Sequence, residues 1–329
     1  MADIIKQISQ FNLIGRGCCN FPTASKWQMV KSAPGKEKYI ICNVSEGEPA
    51  VFKDSWILEH KPEVAIKAIK YALNFFKAKK AIIYLRKDLY KKHQVKLKKI
   101  IAKNKIELFK EVGGYIGGEE TALIESLEGN RVEPRLKPPF PPQAGLYGKP
   151  TLVNNLETFY DIGLILRGEY QQKRLICISG VGVKPQVHEL PEEMTVEKIL
   201  KQTKTYPRFK FFVQVGGGAS GTVLNSQQLK KSLKQIGGLG SIVIHKLNEK
   251  PRDLFLQWCN FFMQESCGKC VPCREGTYRL VELLQKPTVD WKLFKEVLFS
   301  LENTSFCGLG TAVPNPILSY FKNVKDITK

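Results

Sequence analysis

The sequence predicts an α/β protein that ends in a helical bundle, and three observations predict it. Between residues 39 and 112, apolar strand-like runs alternate with amphipathic helices, the pattern of a parallel sheet covered on both faces. Near Gln171 the composition changes, and short strand-like runs with one helix follow. From Pro251 onward, aromatic and aliphatic residues recur at helical spacing. The expected organisation is an α/β domain over 1–170, a small α+β domain over 171–248 and a four-helix domain over 249–329.

Each element has its own signal. Residues 1–27 run from a short helix-like lead into a loop from Gly15 to Thr23, where backbone can approach something flat or anionic. Residues 39–44 read as a buried strand, and 62–77 as a helix with Val64, Ala65, Ala68, Ile69, Ala72 and Leu73 on its apolar face. A strand over 81–85, a lysine-rich helix over 88–103 and a strand over 106–112 continue the alternation. Ligands on such sheets bind beyond the carboxyl ends of the strands. Two unusual loops fall at those ends: 43–49, and the glycine-rich 113–120 that opens a helix over 121–127. Glycines before a helix let main-chain amides face a phosphate or a ring. Glu119 and Glu120 oppose a bare phosphate and suit ribose hydroxyls; they equally suit the positive end of a helix dipole.

Residues 135–150, rich in proline and glycine, read as an ordered extended connection. Asn154 and Asn155 start an apolar helix through Leu166, as caps or as ligand contacts. In the next domain, 174–183 and 187–190 read as paired strands, 196–202 as a helix, and 209–215 and 241–244 as further strands. No catalytic constellation accompanies them, and His188 and His245 read as surface or structural residues. In the helical domain, Leu254, Phe255, Trp258, Phe261 and Phe262 form one stripe. Tyr278, Val281 and Leu284 form a second, and Trp291, Phe294, Val297, Leu298 and Leu301 a third, all of them core packing.

The chemistry concentrates in that last domain. Cys267, Cys270 and Cys273 stand at two-residue gaps, and Cys307 follows in Ser305-Phe306-Cys307-Gly308. A 4Fe–4S cluster takes four thiolates, three from such a run and one from a distance. Structural zinc usually takes two separated pairs, so three plus one favours iron and sulfide. Pro272 is expected to interrupt helix, the cysteines to fall in the connections between helices, and Gly268 and Gly276 to let backbone pass close to sulfide.

Composition bounds the rest. Nine cysteines do not make a disulfide framework, and thiolate ligands fit a reducing compartment. No apolar run is long enough to span a bilayer, and residues 1–17 lack the core of a signal peptide. A cytoplasmic place, or one on the inward face of a membrane without insertion, is expected. The net charge of +20 comes mostly from lysine, without an arginine-rich arm or nucleic-acid motif. It reads as solvated faces, or as docking to acidic partner subunits, and not as nucleic-acid binding.

Together these strings resemble the family of NADH-binding flavoprotein (F, or 51-kDa) subunits of respiratory complex I and the diaphorase subunits of NAD-linked hydrogenases and formate dehydrogenases. The resemblance runs from Gly15 to about Phe321. It is carried by Gly47-Glu48-Pro49, Phe52-Lys53-Asp54, Gly118-Glu119-Glu120-Thr121-Ala122-Leu123, Pro134-Arg135-Leu136-Lys137-Pro138-Pro139-Phe140-Pro141, Gly148-Lys149-Pro150-Thr151, Val153-Asn154-Asn155 and the cysteine motifs. It implies a flavin- and NADH-binding α/β domain, a β-grasp (SLBB-like) domain and a four-helix cluster domain. FMN would be held by Gly15, Gly17, Lys26, Asn43, Glu46, Gly118, Glu119, Asn154 and Asn155. NADH would meet Phe21, Glu48, Glu120, Lys137 and Phe140. The cluster ligands would be Cys267, Cys270, Cys273 and Cys307, and the partners a 2Fe–2S thioredoxin-like subunit and further iron–sulfur subunits. No side chain is implied as catalytic, because hydride transfer belongs to the flavin.

Several positions depart from the family pattern. Cys18, Cys19 and Asn20 replace Gly-Ala-Gly, Ala24 replaces a glycine, Ser45 an aspartate, and Ala50-Val51 a Gly-Thr pair. An aromatic expected near Met29 is also missing. Two readings stay open: an electron-input NADH oxidoreductase subunit, or a non-catalytic electron-transfer or scaffold subunit that keeps the cluster without FMN or NADH. A thiol site of Cys18, Cys19 or Cys42 is a third, disfavoured because adjacent cysteines are poorly placed to share a disulfide.

Overall fold

The computed structural model describes residues 3–17, 20–102 and 104–327. Cys18 and Cys19 lie outside the described residues, and so does the departure read from them. The chain divides into two compact units, residues 1–47 with 52–173 and residues 48–51 with 174–329.

The first unit opens with α1 (Ile4–Gln10) and α2 (Thr23–Ser32), then β1 (Tyr39–Val44), α3 (Lys53–His60) and α4 (Pro62–Phe75). Next come β2 (Lys80–Leu85), α5 (Lys87–Ile101), β3 (Ile106–Lys110), α6 (Glu120–Glu128), α7 (Pro141–Ala144), β4 (Thr151–Asn155) and α8 (Leu156–Ile165). The sheet has the order β3-β2-β1-β4 and is parallel throughout. The chain leaves β1 in one direction for β2 and β3, then returns to its other side as β4. That reversal opens a crevice at the carboxyl ends of β1 and β4, and the register sets Asn43 beside Asn155 there.

Sequence reasoning placed β1, β2 and β3 but missed α2, α3 and β4. Residues 151–153 are fully or almost fully buried, so β4 shows no alternation, and it is too short to announce itself. Thr151 also serves the connection before it, its hydroxyl accepting from Leu146 N at 2.8 Å. Helix α2 is fixed by Trp27, which is buried against Phe75 and Phe76 at centroid distances of 6.0 and 5.1 Å. Its last carbonyls, of Val30 and Lys31, accept from buried Lys38 at 2.6 and 2.9 Å. Helices α4 and α8 approach closely because residue 163 is glycine. A Cβ there would stand 2.3 Å from Val64 O.

The second unit contains β5 (Lys173–Gly180), β6 (Gln186–Pro191), α9 (Val196–Gln202), β7 (Phe211–Val215), β8 (Thr222–Leu224), α10 (Leu233–Ile236) and β9 (Ser241–Lys246). Five helices follow: α11 (Pro251–Glu265), α12 (Val271–Gln285), α13 (Trp291–Thr304), α14 (Gly308–Ala312) and α15 (Pro314–Asn323). The mixed sheet runs β6-β5-β9-β7-β8, with β5 and β9 parallel and β7 antiparallel to β8 and β9. One face carries Ile176, Ile178, Val213, Val215, Ile242 and Ile244 into a core with Val196, Ile199 and Leu200. Along β7, side chains alternate faces, and Phe212 meets Tyr320 of α15 edge to face at 5.5 Å. At β8, Val223 N donates to Ser319 Oγ at 2.8 Å and Val223 O accepts from Asn323 Nδ2 at 2.7 Å. Residue 248, the expected boundary, thus falls inside one compact unit.

Two expectations about the cysteine segment are corrected. Pro272 lies in the first turn of α12, where its missing N–H costs no helical bond. Gly276 is interior to α12, and a Cβ there would stand 3.1 Å from Leu301 Cγ of α13. It serves helix–helix packing.

Reciprocal exchanges test the backbone reading. Gly163→Ala should lower stability by about 1–3 kcal/mol, although helix propensity alone predicts a gain of about 1 kcal/mol. Ala50 holds a φ of +62°, where the family pattern has glycine. Ala50→Gly should raise stability by about 1 kcal/mol, since glycine reaches that region without a Cβ clash. Denaturant unfolding of both variants checks the two signs.

Candidate functional site

At the carboxyl ends of β1 and β4, short polar bonds join residues far apart in sequence. Asn43 Nδ2 donates to Gly118 O at 2.8 Å, and Asn43 Oδ1 accepts from Ser45 N at 3.0 Å. Asn155 caps α8 by accepting from Glu157 N at 3.0 Å, and donates to Asp54 Oδ2 at 2.7 Å. The Asn154 carboxamide oxygen and the Ser45 hydroxyl oxygen are shielded from solvent and have no partner. A flat polar group in the crevice would satisfy them, so these residues fit a flavin ring.

Beside them sits a buried charge cluster. Lys53 pairs with Asp54 at 2.7 Å and Glu157 at 3.3 Å, and donates to Asn155 Oδ1 at 2.8 Å. Glu46 accepts from the N–H groups of Asp54 and Ser55 at 2.7 and 3.1 Å, capping α3 from outside the helix. All four charged side chains are almost wholly buried. Burial first, then the charge of Asp54, push the Glu46 carboxyl up to about 7 against the pull of Lys53 and the two amides. Burial also raises Asp54, against Lys53. On Lys53 burial opposes the charge, but Asp54, Glu157 and Glu46 outweigh it and the pKa rises.

The glycine loop is pinned from beneath. Buried Arg16 pairs with Asp161 of α8 at 2.6 Å and donates to Tyr170 OH at 3.0 Å. Its amide donates to Thr158 Oγ1 at 2.9 Å. Gly15 N donates to Phe21 O at 2.8 Å, closing the loop, and a Cβ on Gly17 would meet nothing within 4 Å. Asn20 holds a φ of +47°, and asparagine tolerates that region better than other non-glycine residues.

Lys26, Glu120, Lys137 and Glu119 form a chain of charges. Lys26 Nζ lies 3.0 Å from Glu120 Oε2, and Lys137 Nζ lies 3.5 Å from Glu120 Oε1 and 2.6 Å from Glu119 Oε1. Burial works against the Glu120 charge, yet Lys26 and Lys137 hold its carboxyl below the usual range. Glu119 caps α6, accepting from Thr121 N and Ala122 N at 2.8 and 2.9 Å. The helix-dipole role foreseen for these acids is therefore realised in Glu119. Phe21 and Phe140 are 40% and 48% exposed, available to an incoming ring. Glu48 has partners of its own. It belongs to the second unit, where its Oε1 accepts from Ala219 N and Ser220 N, both at 2.9 Å.

In the second unit, Cys267 and Cys270 lie between α11 and α12. Cys273 lies inside the first turn of α12, correcting the expectation that all four sit in connections, and Cys307 directly precedes α14. Gly310 brings α14 against α12, since a Cβ there would stand 3.3 Å from Cys273 Cβ. Burial pushes the Cys273 thiol up to about 11. Ser266, 3.3 Å away, pulls it down, and Cys270, Cys307 and Cys267 add to the rise. The segment that follows Cys307 and the 267–273 run therefore meet at Cys273, through Gly310 of α14. Among the described residues, no group of three or more His, Cys, Asp or Glu side chains converges to hold a metal ion. A cubane takes its thiolates at separate corners, so convergence on one point is not its requirement, and the cysteines fit it.

Sequence reasoning did not assign Lys53, Asp54, Glu157, Arg16 or Asp161 to the site. One signal was present: Glu157 and Asp161 are spaced four apart in an otherwise apolar helix, the mark of buried acids that need internal partners.

Residues 8–163 match the profile of the Nuo51 FMN-binding domain. Residues 253–329 match the NADH-ubiquinone oxidoreductase-F iron-sulfur binding region. The chain is 35% identical to the F subunit of NADH-quinone oxidoreductase from Aquifex aeolicus, over 94% of this chain and 81% of that one. It is 31% identical to the NADP-reducing hydrogenase subunit HndC of Solidesulfovibrio fructosivorans, over 97% and 74%. It superposes with a TM-score of 0.89 and 30% identity on a chain of an NAD+-reducing [NiFe]-hydrogenase in the H2-reduced state, covering 97% of this chain and spanning 60% of that one's length.

The buried acids predict a pH dependence. A carboxyl raised from 4.5 to about 7 binds a proton in the folded state that the unfolded state has released. Stability should therefore fall as pH rises from about 4.5 to about 7 and then level off, by on the order of 3 kcal/mol from this group. Glu46→Gln should remove the part of that fall due to Glu46, leaving a slope of the same sign from Asp54. Unfolding curves across the window check it; an unchanged slope would remove Glu46 as the cause.

Proposed function

The chain belongs to the family of NADH-quinone oxidoreductase F subunits, and on that premise we propose that it is the electron-input subunit of an NADH dehydrogenase-type complex. FMN, when bound, supplies the acceptance of a hydride from NADH and the delivery of electrons one at a time to a 4Fe–4S cluster, an exchange that no protein side chain here can make. The observation that carries the reading is the approach of Gly310, three residues after Cys307, to Cys273 in the first turn of α12, which brings the distant cysteine's segment to the 267–273 run, in a chain whose other unit keeps unsatisfied polar atoms at a strand-end crevice.

In the reading, Gly15 and Gly17 leave backbone open to the flavin ring. Asn43, Gly118, Asn154 and Asn155 address its polar edge or the ribityl chain, with Lys26 supplying positive charge. Glu46 and Glu119 order the loops around it by capping α3 and α6. Glu120 and Lys137 contact NADH, and Phe21 and Phe140 offer ring faces to its adenine. The acceptor is an iron–sulfur subunit of the same assembly, a 2Fe–2S thioredoxin-like protein. No helix among the described residues is long and apolar enough to cross a membrane.

Anaerobic purification followed by cofactor release should yield about one FMN and roughly four iron atoms per chain, with NADH–ferricyanide activity. Cys273→Ser should lose most of the iron and keep the flavin. A full iron complement with no flavin and no NADH oxidation would overturn the proposal in favour of a scaffold that only carries electrons.

A further inference from the structure

We infer that Arg135 is a positioning residue for the nucleotide: its guanidinium closes the neck of the 135–147 loop and so sets where Lys137 and Phe140 stand. The clamp is read from geometry alone; what the loop contacts rests on the proposed NADH reading.

All three faces of the guanidinium are used. Nε donates to Glu125 Oε1 at 2.5 Å, Nη2 to Glu128 Oε2 at 2.6 Å, and Nη1 to Gly145 O at 3.1 Å. The Arg135 amide donates to Thr121 Oγ1 at 2.9 Å. Glu125 and Glu128 are three residues apart on α6 and present one face. Glu128 completes the closure, because its second oxygen accepts from Tyr147 N at 2.7 Å. Arg135 and Glu128 together thus tie both limbs of the neck, 135 and 145–147, to a single helix.

The loop needs such a tie. Residues 136–140 are exposed, Leu136 and Phe140 by 66% and 48%, whereas Pro141 and Pro142 of α7 are buried, so apolar burial holds the second half of the segment and leaves the stretch bearing Lys137 and Phe140 to the polar tie. Lys137 must keep its place beside Glu119 and Glu120, and Phe140 must present its ring. A guanidinium suits the task because its donors diverge in one rigid plane, whereas an ammonium cannot reach three separated acceptors. Opening the neck leaves the loop to be ordered at binding, which weakens affinity without altering the reacting groups.

The test compares Arg135→Met, Arg135→Lys and Glu128→Gln with the unsubstituted full chain. Both arginine variants should keep FMN and iron content, hold kcat within about twofold, and raise KM for NADH roughly tenfold. Glu128→Gln keeps an acceptor for Tyr147 N and should shift KM less, in the same direction. Amide hydrogen exchange over 136–147 should quicken several-fold in the arginine variants, a readout independent of turnover. Unchanged exchange overturns the clamp. Faster exchange with unchanged KM, or a loss confined to kcat, overturns the positioning role. If the unsubstituted protein neither holds FMN nor oxidises NADH, the proposed function fails, and the exchange comparison still decides the clamp.

Discussion

One buried ammonium organises the strand-end site. Lys53 lies among Asp54, Glu157 and Glu46 in a region closed to water, where isolated charges carry a large desolvation penalty. The cation can stay only while the carboxylates stay close, and they can stay only while it does. That mutual requirement fixes α3 to the start of α8, and through Asn155 it fixes both to the end of β4. Asn155 also donates to Asn43 O at 3.3 Å, so the end of β1 is held in the same arrangement. Ser45, in place of the family aspartate, removes one more negative charge from a neighbourhood already crowded with acids.

The basic residues divide by role. Much of the net charge of +20 lies on exposed lysines, where ion pairs contribute little. The few cations placed inside act as anchors. Arg16 pins the glycine loop to α8, Lys38 closes the carbonyl end of α2, and Lys53 joins two helix starts. At the partly exposed neck of the next loop, Arg135 does the same for the segment bearing Lys137 and Phe140. Arginine appears where several acceptors diverge, and lysine where acceptors surround one point.

The cysteine centre is built on different physics. Its positions follow from helix starts and from small residues that let helices approach. Gly276 admits α13, Gly310 admits α14, and Gly268 turns the chain with a φ of +77° between the first two cysteines. Two backbone departures from the family pattern have the reverse character. Asn20 and Ala50 both hold positive φ where the family pattern has glycine, with asparagine accommodating that conformation and alanine straining it.

The sequence by itself determined the alternation of the first three strands, the helical end and the tight cysteine run that marks a candidate ligand set, because periodicity and spacing are local properties. It also marked the loops where a ligand would bind. Tertiary structure alone decided that 151–155 becomes a strand, since a short buried run pairs only when β1 offers its free edge. It decided as well that Glu119 caps α6 and that Glu48 bonds to Ala219 and Ser220. Most of all, it brought Lys53, Asp54, Glu157 and Glu46 together. No local pattern announces a charge cluster whose members come from three elements, because each is tolerable inside only when the others have already arrived.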